Sequence, residues 1–176
     1  MSELRKANTE HPYFLTLTVM GWIDIFTRKE YCEILLTNLK YCQKEKGLEL
    51  FEMVIMPSHV HMIARQQDCN LDKIIGSFKS VTAKAIINEI KESRYESRKD
   101  WLLFLLKQFG KKYKQNKEFA FWQKTKYPIE LYSSSVIDHK VEYIHNNPVE
   151  AGLVTDPEFY LYSSANPSFG LELMSF

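Results

Sequence analysis

The feature that most constrains this chain is the run Val54-Ile55-Met56-Pro57-Ser58-His59-Val60-His61-Met62-Ile63-Ala64. Two histidines stand two residues apart there, just after a proline-serine break. Alternate side chains of a β-strand share a face and lie about 6–7 Å apart along it. As a strand, the run turns His59 and His61 toward one ion or one phosphate and sends Val60 and Met62 into a core. Only a tight link fits between Met56 and His59, so Leu48–Met56 and His59–Arg65 are expected to pair antiparallel. On its own, a His-x-His pair is as often two polar residues on the open face of a sheet.

The flanking pattern supplies the partners of that hairpin. Tyr13 to Met20 alternates bulky apolar residues with threonine, a strand signal. Thr27-Arg28-Lys29-Glu30 has the form of a capping box opening a helix. That helix presents Tyr31, Ile34, Leu35, Leu39 and Cys42 at helical spacing and ends at Gly47. A second helix from about Leu71 to Lys91 is expected to bury Ile74, Ile75, Phe78, Val81, Ala85 and Ile86. Lys91–Asp100 reads as a charged, solvated stretch and Trp101–Phe109 as an apolar helix with Gly110 near its end. Tyr127–Tyr132 reads as a strand with Pro128 at its edge. Ser135, with Asp138 three residues on, marks the start of a last helix, which Pro148 is expected to stop at Asn146 or Asn147. The order strand, helix, strand, strand, helix, strand, helix is compatible with an α+β domain. No repeat or low-complexity linker divides residues 1–176, so one domain is expected.

Composition matters here for what it excludes. Hydrophobic residues make up 45% and charged residues 26%, ordinary for a soluble globular protein. No apolar run reaches the length of a membrane span, and Met1–Glu10 is polar, unlike a signal peptide. Cys32, Cys42 and Cys69 are odd in number and lack C-x-x-C spacing, which points to reduced thiols in a cytoplasm. The net charge of +1 does not announce a nucleic-acid binder, so any basic footprint must be local. Lys107, Lys111, Lys112, Lys114 and Lys117 fall within eleven residues with no acid between them and with Tyr113 interleaved. Such a run is more often a solvated face, yet it is the best candidate in the chain for a phosphate-backbone track.

On the last helix, Tyr143 shares a side with His139 and Asn147, one turn away in each direction. Paired histidines on a strand, a tyrosine on a late helix and an amide one turn beyond it resemble the single-tyrosine HUH transposases, in particular the REP-associated tyrosine transposases and their insertion-sequence relatives. The matching residues are Met56-Pro57-Ser58-His59-Val60-His61, Phe78-Lys79-Ser80 and Trp122-Gln123. They continue through Val141-Glu142-Tyr143-Ile144-His145-Asn146-Asn147-Pro148-Val149-Glu150-Ala151-Gly152-Leu153-Val154 and Tyr162-Ser163-Ser164-Ala165, so the resemblance spans roughly residues 11–166. It implies a ferredoxin-like antiparallel sheet with helices packed on it and the histidines on a central strand. It also implies contacts to single-stranded or hairpin DNA near Lys79, Trp122 and Gln123, to which the lysine run, read from the residues alone, adds Lys107, Lys111, Lys112 and Lys114 as candidates. A homodimer is the expected assembly, although REP-associated members can act as monomers. Two departures stand out: Tyr127 occupies a place where many relatives carry histidine, and the helical, lysine-rich segment at about 91–118 is longer than in compact members.

The chemistry such a family performs can be argued from side chains. Two neutral imidazoles and the Asn147 amide oxygen would form a three-point cage for Mg²⁺ or Mn²⁺. Tyr143 would attack phosphorus and leave a 5′-phosphotyrosine and a free 3′-hydroxyl, so rejoining needs no ATP. His139 lies within one turn of Tyr143, but it reads as a surface residue and no base for the tyrosine is identified. The alternative is a catalytically silent DNA-binding protein of the same fold. A small-molecule metal hydrolase fits poorly: a barrel of that kind needs about 250 residues, and Ile63 breaks a three-histidine alternation.

Overall fold

A computed structural model of the chain describes residues 11–66, 68, 70–112, 118–124 and 128–176. Strand β1 covers Tyr13–Thr18, helix α1 Lys29–Lys46, and strands β2 and β3 Glu49–Met56 and His59–Arg65. Helix α2 covers Leu71–Glu92, α3 Lys99–Lys112, strand β4 Ile129–Glu130 and helix α4 Ser134–Glu150. The four strands form an antiparallel sheet in the order β2-β3-β1-β4. Split β-α-β pairing of this kind is the ferredoxin-like arrangement, with α3 inserted before β4 and α4 added after it. The α+β reading holds, and β3 lies inside the sheet as expected, flanked by β2 and β1.

Alternation along the strands divides the core in two. Leu15, Leu17, Met53, Ile55, Val60 and Met62 enter one cluster with Leu35 and Leu39 of α1 and Ile74, Ile75 and Phe78 of α2. Phe14, Val54, Met56 and Ile63 face the other side and pack against Ile144 of α4. The register slips between Leu50 and Glu52, a β-bulge. Phe51 joins the α4-side cluster there, and Glu52 meets His145 of α4 at 2.8 Å. Along β2, Ile55 N donates to Tyr162 O, Ser164 N to Met53 O and Met174 N to Leu50 O, at 2.7–2.9 Å.

The helix ends correct several expectations. Thr27 does not cap α1: Arg28 holds that position without a side-chain bond, and Thr27 Oγ1 accepts from Arg98 instead. Gly47 ends α1 as expected, at φ 63°, where a Cβ would be strained. Val81 is exposed and Thr82 takes the buried place, its hydroxyl donating to Phe78 O at 2.7 Å. The Lys91–Asp100 stretch is not wholly solvated, because Glu96 is buried with Tyr31, Arg28 and Arg98 around its carboxylate. Helix α4 begins before Ser135: Ser133 is its cap and accepts from Val136 N. Pro148 does not stop it either, since α4 runs to Glu150 and closes by Ala151 N to Asn147 O and Leu153 N to Pro148 O. With Pro148 so near the end, the bond it cannot make is lost only in the final turn. Cys32 and Cys42 are free and buried, and burial pushes the Cys32 thiol up to about 12. Cys69 lies outside the described residues.

Candidate active site

Strand register brings the histidines together. His59 stands opposite Thr18, and His61 lies between Thr16 of β1 and Val54 of β2. The two imidazole centroids are 4.6 Å apart. Each ring is held by a hydroxyl at Nδ1: Ser58 Oγ lies 3.1 Å from His59 and Thr16 Oγ1 2.9 Å from His61. A ring whose Nδ1–H is donated in this way leaves the Nε2 lone pair for a cation or a proton. Burial, then the charges of His59 and Lys140, depress His61 to about 3. Burial also lowers His59, against the opposing pull of Asp24. Both rings are therefore neutral at physiological pH, the form a metal ligand needs.

Helix α4 crosses this face of the sheet, anchored by buried Ile144 and Pro148 and by the Glu52–His145 contact, with Ser164 Oγ donating to the same carboxylate. One residue before Ile144, Tyr143 reaches back so that its hydroxyl lies 3.3 Å from His61 Nε2. Its ring remains 40% exposed, accessible to a polymeric substrate. Asn147 is half-buried one turn beyond on the same helix. Among the described residues no group of three or more His, Cys, Asp or Glu side chains is placed to hold a metal ion. Asn147, the third donor expected from the sequence, lies on the same helix as Tyr143. His139 is exposed, as expected of a surface histidine.

Three further residues shape the site without having been singled out by motif. Phe14 stacks on His61 at 5.3 Å and meets the Tyr143 ring edge-on at 5.9 Å, forming the floor between them. Lys140 Nζ lies 4.7 Å from the Phe14 centroid and 5.4 Å from that of Tyr143. Its i−3 spacing from Tyr143 was the available signal. Trp22 meets His59 edge-on at 5.4 Å.

The other candidate residues fall into two groups. Gln123 N donates to Thr18 O, opposite His59, and Gln123 Nε2 donates to Val19 O. Lys79 Nζ donates to Gln123 O at 2.6 Å, and burial lowers its ammonium to about 8. Trp122 is only 7% exposed, and its indole N–H donates to Thr82 Oγ1 at 3.1 Å, so its ring packs in the core. This group braces the end of β1 beside the histidines. On α3, Lys107, Lys111 and Lys112 are exposed, and Lys107 Nζ lies 3.5 Å from Glu118. Tyr113, Lys114, Lys117 and Tyr127 lie outside the described residues.

Residues 17–102 match the family model described as "Transposase IS200 like", a stretch that includes His59, His61 and Lys79 and stops before Tyr143. No curated protein matches the sequence. Among solved structures, that of the REP-associated tyrosine transposase bound to a REP hairpin superposes with a TM-score of 0.66 at 17% identity. The superposition covers 100% of this chain and 95% of that one. The chain thus resembles the IS200-like transposases in sequence over its first half and the REP-associated tyrosine transposase in fold over its whole length.

Proposed function

We propose that the chain is a single-tyrosine transposase that cleaves and rejoins single-stranded DNA near hairpins through a covalent 5′-phosphotyrosine. The observation that carries this reading is the Tyr143 hydroxyl 3.3 Å from Nε2 of a neutral, buried imidazole, on a helix tethered over the paired histidines. Support comes from the transposase family match over 17–102 and from the shared fold of a protein solved with hairpin DNA.

His59 and His61, with Asn147 as the third donor, are the residues suited to hold Mg²⁺ or Mn²⁺. Such an ion, when bound, polarises the scissile phosphate and steadies the leaving 3′-oxygen. Thr16 and Ser58 fix the two rings so that neither needs to reorient. Tyr143 attacks phosphorus: a P–O bond to the phenol forms, the P–O bond to the 3′-oxygen breaks, and the phenolic proton is released. One phosphodiester replaces another, so the reverse attack by a 3′-hydroxyl rejoins the strand without ATP. Lys140, above the tyrosine ring, supplies positive charge where the phosphate arrives. The exposed α3 lysines offer further contacts to the strand.

The test is a denaturing gel of protein incubated with Mn²⁺ and labelled hairpin DNA bearing a single-stranded flank. A covalent adduct mapping to Tyr143 is expected, lost in Tyr143→Phe and at least about a hundredfold reduced in His59→Ala and His61→Ala. An adduct undiminished in Tyr143→Phe refutes the assignment. Tight DNA binding by the wild type with no adduct at all would instead mark a catalytically silent binder.

A further inference from the structure

Trp22 is a residue whose placement packing does not explain. Its indole is 59% exposed, yet its backbone sits at φ 56°, the only non-glycine residue with positive φ among those described. A bulky side chain in the left-handed region is a genuine outlier, retained only where surrounding structure enforces it. The enforcement is visible. Val19 N donates to Ser58 O, Met20 N to Phe121 O, Trp22 N to Val19 O and Phe26 N to Pro57 O, at 2.7–3.1 Å. Gly21, at φ 66°, lies so close to the Phe109 ring of α3 that an added Cβ would fall 2.6 Å from it. The loop is thus pinned to the β2–β3 turn, to the 121–123 segment and to α3, and it holds an aromatic plane out to solvent. That plane stands beside His59, its centroid 5.4 Å from the imidazole.

A fixed, exposed aromatic at the rim of a phosphate-processing site is a surface on which a nucleobase can stack, whatever its identity. We propose that Trp22 is the stacking platform for the nucleotide next to the scissile phosphate, a positioning residue that sets the strand over His59. The proposal rests on the reading of the site as one acting on single-stranded DNA. The backbone strain has a purpose on this view: it orients the indole before the strand arrives, so little freedom is lost on binding.

Two hairpin oligomers of equal length and charge provide the test, one with a single-stranded flank of thymidylates and one with the same flank abasic, with affinity followed by fluorescence anisotropy. The wild type should prefer the base-bearing strand. Trp22→Ala should weaken binding to it by about tenfold or more, the loss typical of one stacked base, with no loss on the abasic strand and an unchanged salt dependence. Trp22→Phe should retain most of the preference. Equal loss on both strands would assign Trp22 a folding role and overturn the proposal. So would wild-type binding to both strands that Trp22→Ala leaves unaltered. Wild-type protein that binds neither strand would overturn the DNA reading itself, and the platform with it.

Discussion

At the scale of single residues, the most informative contrast is between His61 and Glu96. Both are buried and titratable, and they respond in opposite ways. His61 is depressed by burial and by nearby positive charge, so it stays neutral. Glu96 loses water too, and burial alone would raise it. Hydrogen bonds from Arg98 and Tyr31 and the Arg98 charge outweigh that effect and lower it to about 2. Its Oε2 lies 2.9 Å from both Tyr31 Oη and Arg28 Nε, and its Oε1 3.1 Å from Arg98 Nε. A carboxyl depressed below its unfolded value of about 4.3 stabilises the fold at neutral pH, and that stabilisation fades as pH falls through about 2. Glu96→Gln should therefore cost about 2 kcal/mol at pH 7 in urea unfolding and progressively less below about pH 4. A pH-independent cost would show that the charge is irrelevant. The histidine was legible because its neighbours in sequence announce a strand. Glu96 was not, because its three partners come from positions 28, 31 and 98, and only the folded chain gathers them.

At the scale of elements, β1–β3 and the long helices were legible from period, and β3 was found at its observed limits, His59–Arg65, whereas of the strand expected over Tyr127–Tyr132 only Ile129–Glu130 is strand among the described residues. What sequence period could not show was how ends are satisfied. Thr27 had the right chemistry for a cap but lies one residue too early, and Pro148 had the right chemistry for a stop but stands where the helix is nearly finished. In the site, the motif residues His59, His61 and Tyr143 were legible, whereas Phe14 and Lys140 come together only when β1 and α4 meet. On the proposed function, helix α3 is the candidate surface for substrate affinity. Trp101, Phe104, Lys107 and Lys111 are all exposed along it, two aromatics followed by two lysines, a pairing suited to a nucleic-acid strand. Replacing Lys107, Lys111 and Lys112 by alanine should weaken binding of single-stranded DNA and flatten its salt dependence by roughly 0.7 per lost phosphate contact. An unchanged slope would mean these lysines are only a solvated face.

At the scale of the whole molecule, the two candidate halves of the chemistry come from distant parts of the chain, the histidines from the β2–β3 hairpin and the tyrosine from α4. The core that holds them is sturdy: truncating a fully buried leucine such as Leu15 or Leu17 should cost about 2–5 kcal/mol. The strip of chain from Tyr162 to Met174 laid along β2 has a further consequence. A bare outer strand is a template on which another polypeptide can polymerise, and here its backbone groups at Leu50, Met53 and Ile55 are already occupied. The protein is in this sense self-quenching at its β2 edge, where backbone groups that a copy could pair with are already taken. Shortening the chain after Gly170 frees only the Leu50 end, and shortening it after Asp156 frees the strand through Ile55. Light scattering and thioflavin binding should rise in that order, and a chain ending at Asp156 that stays dispersed at high concentration would show that the seal is not needed.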